Sequence, residues 1–153
     1  MPHFQGSGFS VELPDDCADA SAYTFLLPTP KDAQLAPFVV IKAEALAADS
    51  LESHVRAQHM ELQQNLENCR VLTFKAGQHA GTDVVLTTLE WGPPAARVSQ
   101  TQAYYLVAGG QKPKVFGLKG TDLSENFSNS QPVFNGIFRT FMPNEVQLLA
   151  EVS

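Results

Sequence analysis

The residues of this chain that could do metal or acid–base chemistry are its histidines and a short acidic run. The histidines are His3, His54, His59 and His79. His54 and His59 are five residues apart, which turns them about 140° from each other around a helix, whereas helical zinc sites use histidines four residues apart. The run Asp15, Asp16, Asp19 lacks the spacing of a calcium-binding loop. We therefore interpret the histidines as surface or interface residues and expect no metal site.

Nucleophilic catalysis has as little support in the sequence. Cys17 and Cys69 are the only cysteines, and neither has a histidine nearby in a recognisable catalytic context. They could pair, but two cysteines make no dense disulfide framework. The chain contains no G-x-S-x-G elbow, Walker loop or dinucleotide fingerprint. We expect a protein that is not an enzyme, with no catalytic residues and no cofactor.

Composition and charge exclude several classes of partner. The 153 residues are 44% hydrophobic and 17% charged, with a net charge of −6. The basic residues are scattered, which disfavours nucleic acids and anionic membrane surfaces as partners. The N-terminus lacks the basic and apolar segments of a signal peptide, and no run approaches 18 apolar residues. We expect a cytoplasmic protein with no direct membrane insertion, made of one domain over residues 1–143 and a C-terminal tail over 144–153.

Hydrophobic periodicity predicts the elements that must position any site. Strands are predicted over 9–13, 22–27, 37–46, 70–77, 82–91, 95–109 and 114–120. One helix is predicted between a cap at Asp49 and Asn68. A second is predicted between a cap at Ser130 and Pro143, with Pro132 in its first turn. Runs of strands with segregated helices indicate an α+β fold, an antiparallel sheet flanked by helices.

One predicted strand has an unusual composition. The segment "ARVSQTQAYYLVAGG" (95–109) has no charged residue between Arg97 and Lys112. Antiparallel strands usually have one apolar and one charged face, but both faces here are mixtures of Gln, Tyr, Ser, Thr, Ala, Leu and Val. Such a surface could bury an extended apolar guest without desolvating charges, and glutamine can both donate and accept. The alternative is a sheet face whose glutamines contact only water, and composition alone favours that alternative.

Several segments together resemble the DcrB-related family (DUF1795), and within it the Eag chaperones of type VI secretion effectors. These segments are "FSVELPDD", "SAYTFLLP", "PFVVIKAEAL", "LESHVRAQHMELQQNL", "AGTDVVLTTLEW", "SQTQAYYLV" and "IFRTFMP". The resemblance covers roughly residues 4–143 and rests on the order and spacing of many weak signals. It implies a Mog1/PsbP-like fold and a homodimer.

The resemblance also implies a function and a site. Eag chaperones bind the N-terminal transmembrane helices of a PAAR-containing effector and shield them before export, with the guest helix against the concave face of the sheet. By position, the implied effector-binding residues are Gln58, Gln102, Val39, Ala22 and Thr24. Relatives carry aliphatic residues where this chain has Ala22 and Thr24, so Tyr23 and Phe25 on the other face remain an alternative. We also expect Gln102→Glu to abolish capture with little change in thermal melting.

Two other functions fit the sequence. One is a Mog1-like adaptor that binds a folded soluble partner such as a small GTPase, since fold alone does not determine function. The other is a PsbP-like accessory role with a small ligand, which the missing signal or transit peptide disfavours.

Overall fold

The computed structural model describes residues 3–6, 9–16, 22–29, 35–79, 81–107 and 113–142. Within these ranges the chain forms strands β1 His3–Gly6, β2 Phe9–Glu12, β3 Ala22–Leu26, β4 Phe38–Ala45, β5 Arg70–His79, β6 Thr82–Trp91, β7 Val98–Val107 and β8 Lys114–Leu123. The helices are α1 Leu51–Asn65 and α2 Phe127–Arg139. The predicted tail, residues 144–153, lies outside the described residues.

Strands β3 to β8 form one antiparallel sheet in the order β3-β4-β8-β7-β6-β5. Strands β1 and β2 pair with each other in a separate two-stranded sheet. The predicted α+β architecture, an antiparallel sheet flanked by helices, is confirmed. Among the described residues neither helix combines the length and the hydrophobicity needed to cross a bilayer.

Helix α1 packs on one face of the sheet, mainly over β5, β6 and β7. Its N-cap is Ser50 and not Asp49, since the Ser50 hydroxyl accepts a hydrogen bond from the Ser53 amide at 3.1 Å. The helix ends at Asn65, three residues before the predicted end. Leu51 and Val55 anchor it in a cluster whose other buried members are Val85, Tyr104 and Val115.

Helix α2 packs on the opposite face, over β8 and β7. It begins at Phe127, so the prediction of a cap at Ser130 is wrong; the Ser130 hydroxyl instead donates to the Asp122 carboxylate. Pro132 consequently lies beyond the first turn. Phe134 and Phe138 fill a core with Val39, Ala103 and Leu118.

Strand β7 lies between β8 and β6 and is covered by a helix on each face. Thr101 and Ala103 are buried on the α2 side, and Gln102 and Tyr104 on the α1 side. The expectation that this uncharged strand is itself an open binding surface is therefore wrong. Its lack of charge follows from its central position, because an unpaired buried charge is far more costly than a hydrogen-bonded amide or hydroxyl.

A candidate docking groove beside helix α1

Helix α1 leaves half of its own face of the sheet uncovered. It lies mainly over β5, β6 and β7, and no other described helix covers β8, β4 and β3 on that side. We call the α1-side surface of these three strands the groove, with α1 as one wall. Adjacent strands are about 4.8 Å apart, so the groove is about 10–14 Å wide, close to the diameter of a helix with its side chains.

Strand register fixes which side chains line the groove. The middle row across the sheet is Thr24, Val40, Lys119 and Gln102. The rows on either side are Ala22, Lys42, Gly117, Tyr104 and Leu26, Phe38, Thr121, Gln100. Ala22 and Thr24 are exposed and share the face of Gln102, whereas Tyr23 and Phe25 lie on the α2 side. The register therefore decides which pair of β3 residues can line this groove.

Val39 does not join the other predicted site residues. It pairs with Gly120 and Phe25, which places it on the α2 side, and its side chain is 0% exposed in the Phe134 core. The structure therefore gives Val39 a place in the core and no access to the groove. Alternation along β4 explains this, because neighbouring residues of a strand point to opposite faces.

A carboxylate and a histidine connect the wall of the groove to its floor. The His54 Nδ1 accepts from the Ala47 amide at 3.0 Å, so its Nε2 carries the proton and donates to Glu44 Oε1 at 2.9 Å. The Gln58 amide donates to the same oxygen at 2.5 Å. Burial alone would raise the pKa of Glu44, but the hydrogen bonds from His54 and Gln58, helped by the charge of Lys119, hold it below its ordinary value.

The two predicted glutamines converge on one hydroxyl. The Tyr104 hydroxyl lies 2.9 Å from Gln102 Oε1 and 3.3 Å from Gln58 Oε1. Gln102 also accepts from His59 Nε2 at 3.1 Å and donates to Gln100 at 2.5 Å. With its polar atoms engaged and 1% of its surface exposed, Gln102 supports the site from below, whereas Gln58 is half-buried and borders the open surface.

His54 and His59 were interpreted as surface or interface residues, and the surface interpretation is wrong because both are 4% exposed. His59 packs edge-on against Phe74, with ring centroids 5.7 Å apart. Burial lowers the pKa of His59 against the opposing hydrogen bond from Gln102, and the charges of Lys119 and Arg56 lower it further. The signal was present in the sequence, because His59 continues the apolar stripe of α1 four residues after Val55.

Lys119 is a groove residue that the sequence reasoning missed. It occupies the centre of the middle row and is half-buried, with Nζ 5.9 Å from the centre of the Tyr104 ring. Burial lowers its pKa, Glu44 opposes this and Lys42 adds to it. Within the part of the chain that is described, Lys119 forms no ion pair with a carboxylate. No motif marks this lysine; only the register identifies its position.

The other chemical candidates form no site in the described ranges. No group of three His, Cys, Asp or Glu side chains there could hold a metal ion. Cys69 is a free thiol, and burial raises its pKa against the opposing charge of Arg97. Cys17 lies outside the described residues. On the α2 side, a concavity of about 430 Å³ is lined by residues that include Val84, Leu86, Tyr105 and Phe141.

Comparison with solved structures identifies the fold. The Pseudomonas aeruginosa protein of unknown function PA94 matches with a TM-score of 0.73 and 18% identity, over 94% of this chain and 96% of that one. LpqN of Mycobacterium tuberculosis, involved in cell envelope biogenesis, matches at 0.52 and 15%, over 78% and 82%. The Saccharomyces cerevisiae Ran-binding protein Mog1p matches at 0.50 and 12%, over 86% and 74%.

These likenesses confirm the predicted Mog1/PsbP-like fold class. At such identities they show the fold alone. No family model matches the sequence, and no curated protein matches it. Membership of the DcrB-related family therefore stays a prediction.

Proposed function

We propose that the groove binds a helix of another protein, and that this protein is a cytoplasmic, non-enzymatic chaperone for the N-terminal transmembrane helices of a type VI secretion effector. The observation that carries the proposal is the half of the α1 face that no described helix covers. Three strands hold α1, and the three beside them offer a surface of the same width to a second helix. The resemblance to Eag chaperones supplies the identity of the guest.

The dimensions of the groove suit a transmembrane helix. Strand β8 has ten residues and spans about 33 Å, and a bilayer core is about 30 Å thick. Such a helix satisfies its own backbone hydrogen bonds, so the groove has only side chains to accommodate. Leu26, Phe38 and Val40 supply apolar contact area along the floor.

The energetics favour two protomers per guest. Burying 500 Å² of apolar guest surface would contribute roughly 12 kcal/mol before the costs of association, at about 25 cal/mol per Å². One groove covers only one side of a helix, and the other side would stay in water. We therefore expect a homodimer in which the second protomer covers the remaining apolar surface.

The structure changes the role proposed for Gln102. Because Gln102 is buried and engaged with Tyr104, His59 and Gln100, the variant Gln102→Glu would bury a charge inside the hydrogen-bonded network. We now expect that variant to lower thermal stability as well as capture. A test of the groove must use exposed positions.

Strand β3 offers a matched pair of exposed positions. Thr24 faces the groove and Tyr23 faces the α2 side, so Thr24→Arg and Tyr23→Arg place the same charge on opposite faces. Each variant is co-expressed with the N-terminal region of a candidate effector, and the soluble complex is quantified. We expect Thr24→Arg to lose the complex and Tyr23→Arg to retain it. Equal recovery with both variants would contradict the proposal.

A Mog1-like adaptor that binds a folded partner is the second candidate. The concavity on the α2 side favours it, since Leu86 in its wall is 46% exposed and a folded surface could dock there. In a pull-down, this function predicts a soluble folded partner that Leu86→Arg releases and Thr24→Arg leaves bound. The opposite pattern supports the groove.

A further inference from the structure

The floor of the groove carries a positive charge that a purely apolar guest cannot satisfy. We propose that the preferred guest is a helix with one carboxylate on its groove-facing side, placed to pair with the Lys119 ammonium. This inference rests on the proposed function of the groove and adds a chemical preference to it.

The position of Lys119 makes it the central contact of the floor. It lies between Val40 on β4 and Gln102 on β7, in the row that begins with Thr24 at the open edge. Its neighbour two residues back on the same face is Gly117, which has no side chain. The lysine therefore extends over the Gly117 position toward the Tyr104 ring. A helix lying along the groove would cross this charge at about the middle of its length.

The charged groups of the described residues around Lys119 do not neutralise it. The charge of Glu44 raises the pKa of Lys119, but the Glu44 carboxylate already accepts from His54 and Gln58. Lys42, in the neighbouring row, adds a second positive charge on the same face. On the described floor two lysines, Lys119 and Lys42, therefore stand against one carboxylate, Glu44, and a guest with a negative charge complements them.

Lys119 is half-buried, and a docked helix would exclude solvent from its ammonium. A wholly apolar guest then leaves two outcomes, an unpaired buried cation or a lysine that loses its proton, and both weaken binding. Burial already lowers the pKa of Lys119, and deeper burial under a guest would lower that pKa further. A guest carboxylate avoids both outcomes because it replaces the lost water with an ion pair.

The test compares three detergent-solubilised peptides, each an apolar helix of about 20 residues that differs only at its central position, Leu, Gln or Glu. We expect wild type to bind the Glu peptide about tenfold more tightly than the Leu peptide, a difference of about 1.4 kcal/mol. In Lys119→Met the order of affinity should reverse. Lys42→Met, an exposed lysine in the next row, should retain the wild-type order.

Calorimetry in two buffers of different ionisation enthalpy adds a readout that simple loss of packing would not change. We expect wild type to release a proton when it binds the Leu peptide, and neither the Glu peptide nor Lys119→Met to do so. If wild type bound all three peptides with equal affinity, and Thr24→Arg bound none of them, the preference for a carboxylate would be overturned while the groove would remain the binding site. Binding of the Gln peptide as tightly as the Glu peptide would overturn the need for charge. If no peptide binds wild type, the proposed function itself fails.

Discussion

Each face of the six-stranded sheet has one described helix packed on it, yet the two helices are held by different interactions. Under α2 the core consists of rings and aliphatic groups, with Phe134 and Phe138 against Val39, Ala103 and Leu118, and separate hydrogen bonds join Ser130 to Asp122 and Tyr105 to the Phe138 carbonyl. Under α1 an apolar cluster is joined by a chain of hydrogen bonds. Its members are His54, Glu44, Gln58, Tyr104, Gln102, His59 and Gln100.

The apolar contacts under α2 and the hydrogen bonds under α1 correspond to a difference in how each helix covers the central strands β8 and β7. The α2 face is closed over β8 and β7, where a dry core gives the most stability. On the other face, helix α1 covers the sheet only as far as β7. The hydrogen-bonded side chains lie at this border, between the strands under α1 and the groove. Side chains that hydrogen-bond to one another can border the apolar core on one side and solvent on the other without leaving a buried polar group unpaired. Among the described residues, no buried side-chain polar atom lacks a partner.

The largest expected effect is on the α2 face. Phe134→Ala removes a ring that is 0% exposed, and we expect the free energy of unfolding to fall by about 3–5 kcal/mol. Urea denaturation measures this. Val133→Ala, on the same helix and 49% exposed, is the control and should change stability by about 0.5 kcal/mol or less. Similar losses for both would contradict the assignment of this core to α2.

A second test of the α2 face adds volume where Phe134 contacts the sheet. A Cβ built on Gly120 would overlap the Phe134 ring, whereas a Cβ on Gly77 meets nothing within 4 Å. We expect Gly120→Ala to destabilise the protein by about 1–3 kcal/mol through overpacking. Gly77→Ala should not destabilise it. A lower denaturation midpoint in Gly77→Ala, with no change in Gly120→Ala, would contradict this expectation.

Two adjacent tyrosines allow the hydrogen bonds on the two faces of the sheet to be compared. The Tyr104 hydroxyl bonds within the α1 network, and the Tyr105 hydroxyl donates to the Phe138 carbonyl at 3.2 Å. Removing the buried hydroxyl with Tyr104→Phe should lower the free energy of unfolding by about 1–2 kcal/mol, and Tyr105→Phe by about 0.5–1 kcal/mol. Chemical denaturation of both variants decides the order, and a larger effect at Tyr105 would refute the account of the network.

The α1 face should also respond to acid. The folded-state pKa of His59 lies below its ordinary value of 6.5, because burial outweighs the hydrogen bond to Gln102. Between the folded and unfolded pKa values the unfolded chain binds more protons. The stability from neutral His59 is therefore complete above 6.5 and is lost as the pH falls through the folded pKa.

We expect His59→Gln to flatten the fall in the denaturation midpoint between about pH 7 and about pH 5, the range in which an ordinary histidine titrates. His79→Gln changes an exposed histidine on β5 and serves as the control. An unchanged pH profile in His59→Gln would show that another group carries the acid response.

Much of the fold could be predicted from the sequence, but less of the site. Alternation and turn residues predicted β3 to β8 within a few residues, because those signals are local. Whether a strand residue faces α1 or α2 depends on register and on helix placement, which are not local. Val39 was consequently grouped with Thr24 although it lies on the other face, and Lys119 was not noticed. The lack of charged residues in β7 was interpreted as a feature of a guest-binding surface, but the burial of β7 between two helices explains it.

The most direct test of the groove is to label single cysteines on the two faces of β3. Thr24→Cys and Tyr23→Cys are made in a protein whose Cys17 and Cys69 are replaced by serine, and both react with a water-soluble maleimide. Labelling rates are measured with and without a captured effector N-terminal region. We predict that the guest protects the cysteine at position 24 and leaves the one at position 23 reactive; protection at 23 alone, or at neither position, would contradict a guest helix in the groove.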